Sequence, residues 1–110
     1  MAHRADWLAA QDGGQYGGSP DDRRDGFIHF STAAQVARSA HKHRAGQPDL
    51  LLLHVDPAQL GAALRWEASG SGETFPHLYA TLPVDVVARV DPLPLGPDGL
   101  HVFPRLATGV

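Results

Sequence analysis

Asp25-Gly26-Phe27-Ile28-His29-Phe30-Ser31-Thr32-Ala33-Ala34-Gln35 is the stretch on which the fold turns. Phe27, His29 and Ser31 alternate with Ile28 and Phe30, the period of a strand, so His29 and Ser31 share a face. Thr32 and Gln35 then stand at capping-box spacing, and a helix is expected from there to about Ala45. Its Ala34, Val36, Ala37 and Ala40 make a thin apolar face, while His41-Lys42-His43-Arg44 place positive charge where the helix dipole favours it. Gly46 ends it.

Upstream, Asp6 is expected to N-cap a short helix carrying Trp7, Leu8 and Ala10, which stops before Gly13-Gly14. Gln15 to Arg24 is rich in turn formers and charge and reads as a surface loop. Downstream, Leu50-Leu51-Leu52-Leu53-His54-Val55 is a continuous apolar run between Pro48-Asp49 and Asp56-Pro57, suited to a central strand buried on both faces. Asp56 and Pro57 fit the cap and first position of one turn through Leu60, ended by Gly61. Ala63 to Glu67 reads as a strand, Ala68 to Gly72 as a flexible loop, Pro76 to Tyr79 as extended, and Val84 to Val90 as a further strand. From Pro92 onward the chain reads as a hairpin arm or a partly ordered end.

With 110 residues, the chain is expected to form one domain over 1–110 around one core. Its 43% hydrophobic and 19% charged residues are those of a soluble globular protein. No apolar run approaches the roughly 20 residues that span a bilayer, and the polar start lacks an apolar signal region, so a cytoplasmic address is expected. The absence of cysteine excludes disulfides, thiol catalysis and thiolate metal sites. A net charge of −3 with mixed signs argues against a broad nucleic-acid footprint. Oligomeric state is left open.

Histidine, carboxylate and hydroxyl side chains inside apolar, strand-like sequence need a partner or a purpose. His29 and Ser31 could reach one ligand together; the plainer reading of His29 is a core histidine bonded to backbone. Glu67 follows Trp66, and Glu73 precedes Phe75-Pro76-His77-Leu78-Tyr79, which brings a carboxylate, an imidazole and a phenol close along the chain. His77 and Tyr79 share a strand face if that segment is extended. His29, His77 and Glu73 are the candidates for a metal site, but no tight ligand spacing supports one and no metal is expected. Ser31 lacks the glycine-flanked elbow of a hydrolase nucleophile, and no phosphate-loop or dinucleotide fingerprint is present.

Four segments in this order, Asp25 to Gln35, Asp49 to Leu53, Leu64-Arg65-Trp66-Glu67 and Gly72 to Tyr79, resemble the domain of unknown function 952 family, over about residues 7–92. The resemblance implies an α+β domain of few short helices with a bent, split mixed sheet like that of the ADP-ribosyltransferases, arranged around a nicotinamide dinucleotide cleft. It implies NAD or another nucleotide as ligand. His29 and Ser31 would face it, His29 as a catalytic residue beside either Glu73 or Glu67 as the glutamate that stabilises an oxocarbenium-like transition state, and Thr32, Trp66, His77 and Tyr79 would join Ser31 in the ligand site. The chain departs from the family where a short first strand is usual, since Met1-Ala2-His3-Arg4 shows no strand pattern. The departure leaves as expectations either a shortened sheet, a mis-assigned start, or a protein that binds a small metabolite or a protein partner without catalysis.

Overall fold

The computed structural model describes residues 1–70 and 72–104. The strands of the described residues form two three-stranded sheets and a two-stranded ribbon, packed with three helices into a mixed α+β domain. The central strand β4 (Leu50–Val55) lies between β1 (Ala2–His3) and β8 (Val87–Leu93), antiparallel to both. Apolar residues on both faces explain that central place. Leu51 and Val55 join one core cluster with Trp7, Tyr16, Ile28, Leu78 and Leu82, whereas Leu50 and Leu52 pack with Val36 and Leu93 in another.

Strand β1 corrects the expectation of a shortened sheet. Ala2 and His3 stand opposite Leu51 and Leu50. Two residues are too few to show alternation, so only their tertiary pairing reveals the strand. The helix α1 (Arg4–Gly13) starts two residues before Asp6, which stabilises its first turn by charge rather than capping it. Gly14 ends α1 at φ 82° with its N–H on the Ala10 carbonyl. Trp7 and Ala10 face inward, and the Trp7 ring meets Tyr16 edge-on at 6.2 Å.

The segment expected to be a surface loop is the second correction. Gln15–Tyr16 is a strand, β2, paired with β7 (Leu82–Pro83), and Pro20–Asp25 is a helix, α2. Ser19 caps α2 in a reciprocal box: its hydroxyl accepts from the Asp22 N–H at 3.2 Å while Asp22 Oδ2 accepts from the Ser19 N–H at 2.8 Å. Ser, Pro and Asp are turn formers, but in this order they are also a capped helix start.

The second sheet runs β3 (Ile28–His29), β6 (Thr74–Leu78), β5 (Leu64–Ala68), with Ile28 opposite Leu78 and His29 opposite His77. Helix α3 (Val36–Arg44) begins later than the sequence suggests. The Gln35 side chain accepts from the Thr32 N–H at 3.0 Å as a box residue would, but its amide donates across the fold to the Thr74 carbonyl at 2.8 Å. That tertiary tie holds Gln35 at the helix entry. Asp56 caps a turn over Pro57–Gln59 as expected. Val84–Val86 form another such turn, so β8 starts at Val87. Beyond β8 the chain doubles back in a hairpin, with Leu95 opposite His101 and the Val102 N–H on the Pro94 carbonyl. The rest of the expected arm, 105–110, lies outside the described residues. No helix among the described residues is long and apolar enough to cross a membrane.

Candidate functional site

A cleft of about 740 Å³ opens between the two three-stranded sheets, closed along one side by α3. β4 gives it an apolar wall of Leu52, Leu53 and Val55, and Phe30 and Phe75 continue that wall from the other sheet. Helix α3 contributes Arg38, Ser39, Lys42 and Arg44. His29, Ser31, Glu73 and His77 also line it; Thr32, Trp66, Glu67 and Tyr79 do not. Of the residues singled out from sequence, the cleft therefore gathers four directly. His3, on β1, is not part of the lining.

His29 and His77 are register partners on β3 and β6, and their rings meet edge-on at 5.5 Å. Each is held by carboxylates. Asp22 Oδ1 accepts both the His29 backbone N–H at 3.1 Å and a bond from the ring Nδ1 at 2.5 Å, while Nε2 lies 3.1 Å from Asp25. The bond to Asp22 raises the His29 pKa against the opposing effect of partial burial. Burial pushes the Asp22 carboxyl upward, but the hydrogen bonds from His29 and Ser19 outweigh it and hold its pKa below the ordinary value. His29 is thus an ion-paired residue with both ring nitrogens engaged, not a backbone-bonded core histidine.

His77 Nδ1 lies 2.9 Å from Glu67 Oε1, and the same oxygen accepts from the Tyr79 hydroxyl at 2.6 Å. The bond from Tyr79, then that from His77, lowers the Glu67 pKa, and the same bond raises that of Tyr79. Phe27 stacks on the His77 ring at 4.1 Å and 22°, and the Arg65 guanidinium lies 4.7 Å from the centre of the Tyr79 ring. Glu67 and Tyr79 therefore bear on the cleft through His77. Trp66, half exposed, stands away from it, and Thr32 acts on the local backbone.

Glu73 lies at the cleft but is engaged: Arg38 reaches its carboxylate at 2.6 Å and the Gln35 amide at 3.1 Å. The other acids that line the cleft are paired as well, Asp21 with Arg24, Asp25 with Arg24 and His29, and Asp22 with His29. Lys42 and Arg44 have no ion-pair partner among the described residues, so they leave positive charge uncompensated on the α3 wall. Ser31 donates to Ser39 at 3.3 Å across the cleft-lining surface. Asp22, Ser39, Lys42 and Phe27 were not foreseen as site residues. The Ser19-Pro20-Asp21-Asp22 pattern was the available signal for the first, as a capped helix start that delivers a carboxylate to β3.

A model of the family described as protein of unknown function DUF952 matches residues 1–90. The chain belongs to the DUF952 family. The crystal structure of protein CC0527 from Caulobacter crescentus is similar, with 45% sequence identity and a TM-score of 0.87 over 91% of this chain and 88% of that one. The solution NMR structure of CC0527 gives 45% identity and a TM-score of 0.81 over 90% and 85%. None of the curated proteins compared matches the chain. This DUF952 chain thus shares its fold with CC0527 over 91% and 90% of its length in the two structures.

Proposed function

We propose that this DUF952 protein binds a small anionic molecule of nucleotide size in the cleft between its sheets, NAD being the dinucleotide that the family resemblance suggests. The observation that carries the reading is the pairing pattern of the cleft: its acids are engaged, while Lys42 and Arg44 are not. A volume of about 740 Å³ that joins an apolar wall to charged and hydroxyl side chains suits a ligand with an apolar ring and a charged group. Ser31 and Ser39 add hydroxyls that can turn toward phosphate or ribose oxygens. The ADP-ribosyltransferase-like view of the fold belongs to this proposal and draws its support from the two separate sheets that flank the cleft.

A second reading, ribosyl transfer from NAD, is favoured by the presence of Glu73 in the same cleft lining as His29 and His77. Its difficulty is the Arg38 and Gln35 bonds on that carboxylate, which a ligand must displace before Glu73 can face a ribose. Binding without turnover, of a metabolite or a protein partner, needs no such release.

The test is an amide NMR titration with NAD, alongside inorganic phosphate. Saturable shifts at Ser31, Ser39, Lys42 and His77 are expected, and Lys42→Glu should weaken binding about tenfold or more through loss and reversal of one charge. Absence of shifts at millimolar NAD overturns the dinucleotide reading. Nicotinamide release that survives in wild type and vanishes in Glu73→Gln would establish the transferase reading over simple binding.

A further inference from the structure

Of the histidines that line the cleft, His29 and His77 are set to different tasks by their hydrogen bonds. His29 has Asp22 on Nδ1 and Asp25 on Nε2, so the ring has no nitrogen left for a ligand. His77 has one carboxylate, Glu67, on Nδ1. A lowered pKa keeps Glu67 ionised, and an ionised carboxylate only accepts, so Nδ1 must carry the proton. In the uncharged ring the lone pair then resides on Nε2. No described residue bonds that nitrogen, and the ring lines the cleft with its side chain 12% exposed.

The ring is also held in place. Phe27 stacks on one face, and the Tyr79 hydroxyl fixes the Glu67 oxygen that Nδ1 meets. A carboxylate behind Nδ1 is the arrangement that sets the tautomer and aim of an imidazole whose other nitrogen meets a partner. Among the described residues, His29 shows the contrasting case one strand away.

From this geometry we infer that His77 Nε2 is a hydrogen-bond acceptor subsite of the cleft, built for a ligand that carries a hydroxyl or amide N–H donor besides its anionic group, with Glu67 and Tyr79 as positioning residues. The inference rests on the cleft being a ligand site. Such a subsite discriminates: an analogue without the donor leaves Nε2 desolvated and unpaired. It also places the lone pair where it can take a proton from a bound hydroxyl.

Long-range nitrogen–proton NMR of the imidazole rings tests this in the ligand-free protein. The expected spectrum shows His77 protonated at Nδ1, with a proton-free Nε2. In Glu67→Gln the amide can donate to Nδ1, and the ring should shift toward the Nε2-protonated form. Tyr79→Phe, which leaves the Glu67 bond intact, should keep the tautomer and raise the Glu67 pKa. A wild-type ring protonated at Nε2 overturns the inference, and so does a tautomer that ignores Glu67→Gln in a variant with a native amide spectrum. If Glu67→Gln does not fold, the wild-type tautomer decides alone.

Added NAD separates this from the binding proposal. A displaced Nε2 resonance together with cleft amide shifts supports the subsite, whereas cleft amide shifts that leave Nε2 unmoved overturn it. No shifts anywhere defeat the dinucleotide reading and the donor-ligand half of this inference, while the tautomer still decides the acceptor half.

Discussion

Asp22 and His29 hold each other across seven positions of chain, and their bond ties α2 to β3. The pH dependence of stability follows from the directions of their shifts. His29 is raised above its ordinary 6.5, so its contribution is complete below 6.5 and is lost as pH rises through the higher folded value. Asp22 is lowered below 3.8, so its contribution is complete above 3.8 and is lost as pH falls through the lower folded value. Both are present between these limits. With its side chain 41% exposed, the His29 ring contributes only about 1 kcal/mol after solvent screening. Urea unfolding should show wild type losing about that much between pH 5.5 and pH 8, and His29→Asn with a flatter profile. Equal slopes for the two proteins would show that the pair does not couple folding to protons.

At the scale of elements, α2 is the segment whose sequence misleads and whose geometry is most demanding. Gly18 sits at φ 95°, and a Cβ there would stand 2.7 Å from the Asp22 Cβ. Gly18→Ala should therefore cost about 1–3 kcal/mol, and Ser19→Ala about 1 kcal/mol through loss of the cap. Gly17→Ala, with nothing within 4 Å of its would-be Cβ, should cost much less. Thermal melts check the order; a Gly18→Ala protein as stable as Gly17→Ala would mean that the box at Ser19 does not constrain this turn. The same comparison shows what was readable. β4 declared itself by five apolar residues and His54 between proline boundaries, α3 by its apolar face and basic end, and β5 and β6 as extended segments whose bounds lie a residue or two away. β1, β2 and β7 are two residues each, too short for any period, and exist by pairing with distant chain. Within the site, strand alternation pointed to His29 and His77. Asp22 was hidden in apparent loop, and Lys42 in a helix end where charge has a sufficient local explanation.

Across the whole molecule, one core serves both sheets while the cleft separates their outer parts. Ile28 and Leu78 from the β3–β6–β5 sheet pack in the same cluster as Leu51 and Val55 from β4, with Leu82 completely buried beside them. Leu52 belongs to the other cluster and lines the cleft. Shortening a side chain costs the lost transfer energy and, where the surroundings cannot relax, a cavity as well. Leu78, 1% exposed and enclosed between the sheets, should lose both: Leu78→Ala is expected to cost about 3–5 kcal/mol. At Leu52 the vacated space joins a cleft that water can enter, so Leu52→Ala should cost about 2 kcal/mol, the low end for such changes. Denaturant unfolding of both variants decides between a shared core and two independently stable sheets. A single transition displaced far more by Leu78→Ala than by Leu52→Ala fits the shared core, because the walls of the cleft are then held at a fixed spacing from below. Two transitions in Leu78→Ala, with one left at the wild-type midpoint, would mean that the sheets unfold separately and that the cleft between them has no fixed shape to offer a ligand.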